Sequence, residues 1–375
     1  MFIILDKNMK KILIAFLLVT AAFSINIYLS GCEPHLKPAI GKEDEIFVLA
    51  DSTQWEHYYE ILSPIFEKEI ITPQPEMMFN LKRIDFSELN KFKNRKNLLI
   101  VATLSNGDKV SEYVKSILDS ASYQLVISGN EFAVKKKDVW SKDQVLVIMA
   151  SNTIEELRIR AFKNSDNLLY YFQKASDDRV MNNLYNPKYE RKELEAKYLN
   201  DYGWMLYIQA DFVEAINNPK EKFVWLRRSP DTDMERWMFV HWIDSVNADL
   251  LNNEFIVQTR NSVTQKFYKT MDDKAFVEIA QENISHSEFN LNGKYAIFSQ
   301  GLWRMNDFSM GGPFVNYTFY DEANKRIYML DGSVFSPRYE KKSLIQQVDV
   351  NLRTFRTKAE LPKEKKNELF ELLEK

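Results

Sequence analysis

The order of apolar segments predicts an α+β protein of two related modules with mostly antiparallel sheets. Each module approximates a ferredoxin-like βαββαβ order, and an extra hairpin and helices follow at the C-terminal end. Three observations carry this expectation. From Glu45 the chain reads strand, helix, strand, strand, helix, strand; a similar order returns after Gly203; and the last third alternates apolar strands with short polar turns.

Glu45 to Asp51 is a short apolar strand. Thr53-x-x-Glu56 has the form of a capping box and opens a helix with Trp55, Tyr58, Tyr59, Leu62, Ile65 and Phe66 on one face. That helix must end before Pro73, and Pro73-Gln74-Pro75 reads as an extended turn into a strand over Met77 to Ile84. Leu98 to Leu104 is apolar throughout, as a central strand would be, and an amphipathic helix with Val110, Tyr113, Val114, Ile117, Leu118 and Ala121 follows. A further strand lies within Val145 to Ala150, after which Asn152-x-x-Glu155 caps a helical tract running toward Tyr185.

The second module starts after a charged helix around Glu190 to Leu199, with Gly203 as its C-cap. Strand Trp204 to Ile208, helix Ala210 to Ile216, strand Phe223 to Arg228, strand Trp237 to Ile243 and a helix over Glu254 to Tyr268 repeat the earlier order. Pro75-x-x-x-Phe79-x-x-x-Arg83 matches Pro219-x-x-x-Phe223-x-x-x-Arg227 in spacing, so an internal duplication is expected, with Phe79 and Phe223 at equivalent inward positions. Tyr295 to Leu302 and a hairpin of Pro313 to Tyr320 with Arg326 to Phe335 extend the sheet. Lys341 to Phe355 and a terminal segment with Leu369, Phe370, Leu372 and Leu373 are helical.

Ahead of all this, Lys10 and Lys11 precede an apolar run from Ile12 to Tyr28, and Leu29-Ser30-Gly31-Cys32 ends it. The stretch resembles the lipobox of bacterial lipoproteins, which implies loss of residues 1–31 and acylation of Cys32. An uncleaved signal anchor and a soluble protein with a structural cysteine are the alternatives. The resulting division is 1–31 signal peptide, 32–43 tether, 44–187 first module and 188–375 second module. The expected location is the cell envelope, lipid-anchored, at the outer membrane facing the periplasm.

Composition excludes more chemistry than it suggests. The formal charge is −3; residues 1–31 contribute three lysines and one aspartate, a balance of +2, so the remainder carries −5. Both signs are interspersed without a basic stripe, so no nucleic-acid partner is expected. Cys32 is the single cysteine, and the four histidines His35, His57, His241 and His286 lack zinc-ligand spacing, so no metal is expected. With ten glycines in 375 residues and no phosphate-cradling loop, no cofactor is expected either. Acidic neighbours such as Asp177-Asp178 and Asp272-Asp273 could serve a glycosidase, although adjacent side chains point apart. Met310-Gly311-Gly312-Pro313, beside Trp303 and Arg304, could form an anion-binding concavity of backbone N–H groups, or a plain turn before a strand.

Several motifs together resemble the bacterial lipoproteins grouped as domain of unknown function 4837. They are Thr72-Pro73-Gln74-Pro75-Glu76-x-x-Phe79, Asn94-Arg95-Lys96-Asn97, Trp140-x-x-x-Gln144, Phe223-Val224-Trp225-Leu226-Arg227, Gly301-Leu302-Trp303 and Met310-Gly311-Gly312-Pro313-Phe314. They span nearly the whole chain after the leader. Lys96, between Arg95 and Asn97, departs from the adjacent Arg-Asn pair expected there. The resemblance implies no catalytic residues. The reading is a lipid-anchored envelope protein that binds, assembles or scaffolds, with Arg95, Asn97, Arg227, Trp303, Gly311 and Gly312 as candidate binding residues. Its partners are the membrane, through Cys32, and an envelope protein or polymer. The alternative is an envelope hydrolase acting on glycan or peptide.

Overall fold

The computed structural model describes residues 36–229 and 233–374; the expected leader and Cys32 lie outside them. In the first unit β1 (Glu45–Leu49) leads to α1 (Trp55–Phe66), a two-residue ribbon of β2 (Glu69–Ile70) with β3 (Glu76–Met77), then β4 (Asn80–Ile84) and α2 (Leu89–Phe92). Next come β5 (Asn97–Thr103), α3 (Lys109–Ile117), α4 (Ser120–Ile127), β6 (Ala133–Lys137), β7 (Val145–Ser151), α5 (Ile154–Lys163) and the long α6 (Ser165–Leu184).

The strands lie in the order β4-β1-β5-β7-β6, all parallel except β6, which runs antiparallel to β7. Every residue of β5 and β7 is buried, because helices cover both faces. On one face α1, α5 and α6 contribute Tyr58, Leu62, Leu157, Leu168 and Phe172; on the other α3 and α4 contribute Val110, Val114 and Val126. This overturns the expectation of an antiparallel, ferredoxin-like sheet in the first module. The unbroken apolar runs at 98–104 and 145–150 are what two-sided burial in a parallel sheet demands. The antiparallel edge, β6, carries Lys135, Lys136 and Lys137, charges that keep a free edge from pairing with another chain.

The second unit begins with α7 (Lys192–Tyr202), which stops at Gly203 in the left-handed region at φ +78°, as its spacing predicts. Then follow β8 (Trp204–Met205), β9 (Val213–Asn218), β10 (Phe223–Arg228), β11 (Glu235–Asp244), α8 (Asn253–Phe267), β12 (Val277–Leu291), β13 (Lys294–Met305), β14 (Gly311–Asp321) and β15 (Arg326–Phe335). The chain closes with α9 (Lys342–Leu352), β16 (Arg356–Thr357), which pairs with β8, and α10 (Lys363–Glu371).

Seven strands form one antiparallel sheet, β12-β13-β14-β15-β11-β10-β9. Its two faces bury separate clusters, one containing Phe223, Trp303 and Phe314 under α8, the other Trp204, Tyr317 and Val348 under α7 and α9. The mixed α+β class, the large antiparallel sheet and the hairpin turning at 321–325 agree with the reading of the sequence.

Other details differ. The helix expected over Ala210 to Ile216 is strand β9, whose Val213, Ala215 and Asn217 alternate with Glu214, Ile216 and Asn218 along an edge. Thr53 bonds Asp51 instead of capping α1, and the cap of α5 is Thr153, one residue beyond the expected Asn152. Residues 38–40 of the expected tether are docked: Ala39 N–H donates to the Lys142 carbonyl at 2.9 Å and Ile40 N–H to that of Asn94 at 3.0 Å. The duplication is not a repeat of fold, since one sheet is parallel and the other antiparallel. Phe79 and Phe223 are both buried, yet Phe79 precedes the parallel edge strand β4 while Phe223 opens the antiparallel β10. Their shared spacing reflects only that each chain segment enters a sheet after a proline.

Candidate functional site: the cleft between the units

The two units are clasped through α9. Its first amides point at the first unit, and the Glu76 carboxylate accepts the N–H groups of Lys341, at 2.9 and 3.0 Å, and Lys342, at 2.8 Å. A helix N-terminus leaves these donors unpaired and favours negative charge, so a carboxylate from another unit satisfies both requirements. The Lys341 ammonium, buried here, donates to the Gln74 side chain. The rigid Pro73 to Glu76 segment is thus a strut between units.

A second set of contacts lies one helical face away. Asp177 of α6 accepts Gln346 Nε2 at 2.8 Å and Arg353 Nη2 at 2.8 Å. The same Arg353 nitrogen reaches Asp349 Oδ2 at 2.8 Å, and the Tyr317 hydroxyl donates to Asp349 Oδ1. Burial pushes the Asp349 carboxyl above its ordinary value despite the pull of Arg353, and burial followed by the nearby Asp349 charge pushes the Tyr317 phenol well up. All four carboxylate oxygens of Asp177 and Asp349 have hydrogen-bond partners, and the shared Arg353 ties the two units together.

Beside this network lies a cavity of about 310 Å³. Ile71, Met78 and Phe79 of the first unit and Phe298, Phe314 and Ile345 of the second wall it; Gln173, Gln300 and Lys342 add polar lining, and the clasp residues Ser176, Asp177, Gln346 and Asp349 close its side toward the network. The Lys342 ammonium stands 4.8 Å from the centre of the Phe79 ring. Burial lowers its pKa to about 8, although Asp44, Glu76, Asp177 and Glu340 pull the other way. Among the described residues, no carboxylate oxygen lies within ion-pair distance of it.

The candidate binding residues read from the sequence do not meet in one place. Arg95 lies against Phe47 and Phe92, 4.9 and 5.5 Å from their ring centres. Asn97 is fully buried, donating to the carbonyls of Glu43 and Glu45 and accepting Arg179 Nη2 at 2.7 Å. Lys96 pairs with Glu43 at 2.6 Å. Arg227 pairs with Glu235 at 2.9 Å. Trp303 is buried, its indole N–H donating to the Val334 carbonyl at 3.2 Å. Gly311 and Gly312 sit in β14 opposite Arg304 and Trp303. Successive strand N–H groups point to opposite sides, so no anion-binding concavity forms. A Cβ on Gly312 would stand 2.0 Å from the Val334 carbonyl, and it is this close approach that requires glycine.

Among the described residues, His286 Nδ1 lies 2.8 Å from Ser299 Oγ, an arrangement that resembles a nucleophile and its base. Ser299 is fully buried, however, and points away from the cleft that its neighbours Phe298 and Gln300 line. Among the described residues, no group of three or more His, Cys, Asp or Glu is placed to hold a metal ion, and no helix is long and apolar enough to cross a membrane.

The cleft residues that sequence reading missed are Asp349, Arg353, Tyr317, Gln346 and Lys342. A signal for Lys342 was present: Lys341-Lys342 open a helix at the end where cations are disfavoured, and such local conflicts tend to mark contacts made elsewhere in the fold.

No curated protein matches the chain. Similar solved structures include a mutant of the protein Mog1, 12% identical and covering 41% of this chain and 90% of that one, with a TM-score of 0.28. The Saccharomyces cerevisiae Ran-binding protein Mog1p is 11% identical, covering 42% and 90%, also at 0.28. At that score the superposition is too poor to support an inference about this chain. The motifs at 72–79, 94–97 and 140–144 lie outside the stretch that matches the family they resemble. Residues 191–354 match the family model described as Domain of unknown function (DUF4837) and residues 39–185 match Domain of unknown function (DUF8532), so the chain pairs a segment similar to each family, with the cleft where they meet.

Proposed function

We propose that this is a lipid-anchored cell-envelope protein, held at the outer membrane through acylated Cys32 and facing the periplasm, that binds a small ligand in the cleft between its two units. The observation that carries this reading is the cleft itself. Its apolar walls come from both units, and its size is at the lower end for small-molecule sites, which are apolar with a few placed polar groups. A hydrolase is disfavoured because the carboxylates in the cleft are fully engaged and the buried Ser299 has no access. The leader supports the anchor, since stable attachment needs more than one acyl chain and a lipobox cysteine carries them.

Native mass spectrometry of the full chain purified from envelopes tests the binding role. The wild type should carry a small molecule that a Met78→Trp variant, with the cleft filled, lacks. Equal occupancy of both, or no ligand on either, overturns it. Metabolic labelling with a fatty-acid analogue tests the anchor: Cys32→Ser should abolish incorporation, and persistent labelling would refute it.

A further inference from the structure

Resting on that reading, we infer that the ligand is a monoanionic amphiphile, a short acyl or alkyl chain ending in a carboxylate, with Lys342 as the residue that takes its head group. The walls fix the chain. Phe79, Met78, Phe298, Phe314 and Ile345 offer only apolar contact, and a volume of about 310 Å³ holds on the order of ten non-hydrogen atoms at roughly 30 Å³ for each water-sized group.

Lys342 fixes the sign of the head group. The cations of the adjoining network are consumed: Arg353 by Asp177 and Asp349, and Lys341 by Gln74 and the Tyr339 carbonyl. Lys342 is the cation at the cleft with no ion-pair partner among the described residues, and it lies over the ring of Phe79, a wall residue. An ammonium held partly out of water without a counter-ion is stabilised by an anion brought to it, more strongly than on an open surface.

The surroundings limit that anion to one charge. Asp44, Glu76, Asp177 and Glu340 all act on Lys342, Asp177 and Asp349 line the cavity itself, and a phosphate dianion would meet their repulsion with a single ammonium in return. Gln173 and Gln300, whose amides have no hydrogen-bond partner among the described side chains, can turn to donate to a carboxylate or to the ester or hydroxyl group of its chain.

Equilibrium dialysis of the full chain with labelled octanoate, octanol and octyltrimethylammonium tests this, cleft binding being the part lost in Met78→Trp. The expected order is octanoate, then octanol, then the cation. Lys342→Gln should weaken octanoate about ten- to a hundredfold, the range for loss of a charge-assisted hydrogen bond, and leave octanol unchanged. Octanol binding as tightly as octanoate, tightest binding of the cation, or an unchanged octanoate affinity in Lys342→Gln would overturn the assignment of charge while leaving the cleft as the site. Absence of cleft binding by all three probes would overturn the cleft reading itself.

Discussion

Replacing Lys342 with Met should make the protein more stable at neutral pH. The pKa falls from 10.5 to about 8, so holding the ammonium charged in the folded state costs about 2.5 pH units at about 1.4 kcal/mol each, or about 3.5 kcal/mol. Methionine keeps most of the aliphatic stem, and its loss of the cation–π contact with Phe79 returns about 0.5–1 kcal/mol. A net gain of about 2.5–3 kcal/mol is expected. Below pH 8 the lysine is charged in both folded and unfolded chains, so the penalty is fully present. Between pH 8 and 10.5 the folded protein releases the proton first, the unfolded chain binds more protons, and wild-type stability rises relative to the variant. Above 10.5 both states are neutral and the gap closes to the packing difference. Urea unfolding at pH 7 and pH 10.5, with midpoints compared at equal slope, measures this. A variant no more stable than wild type at pH 7, or a gap of the same size at pH 10.5, would refute the desolvated, unpaired placement of Lys342.

Arg353→Met should destabilise by about 3–5 kcal/mol, because it leaves Asp177 and Asp349 facing each other without their shared cation. Hydrogen exchange should speed up first in α9 and around Asp177, and a loss under about 1 kcal/mol would show the clasp to be solvated. Glu76→Gln should cost about 0.5–2 kcal/mol, the range for a lost helix cap, read as faster exchange at the Lys341 and Lys342 amides; unchanged exchange there would refute the cap. Gly312→Ala should destabilise by about 1–3 kcal/mol or more by forcing β14 from the Val334 carbonyl, with red-shifted fluorescence as Trp303 is disturbed; wild-type stability would show that the strands yield without cost.

What the sequence determined by itself was local. The apolar runs at 98–104 and 145–150, the hairpin over 313–335 and the end of α7 at Gly203 depend on periodicity and on one residue that tolerates positive φ, and these are legible one segment at a time. Whether neighbouring strands run parallel or antiparallel was not legible, because a fully buried strand has the same composition either way. The contacts that build the cleft were less legible still. Glu76 and Lys341 are 265 positions apart, and Asp177 and Arg353 are 176 apart. Neither pair has any spacing rule linking its members. Arg95, Asn97 and the paired glycines stand out as polar or conformationally free residues, and the fold spends them on stacking against Phe47 and Phe92, on a buried network and on a close strand contact, respectively. Lys342, unremarkable in a charged helix start, becomes an unpaired cation only because Phe79 and Glu76 arrive from another unit. Desolvation is a property of what surrounds a group, and for Lys342 the tertiary structure alone decided that surrounding.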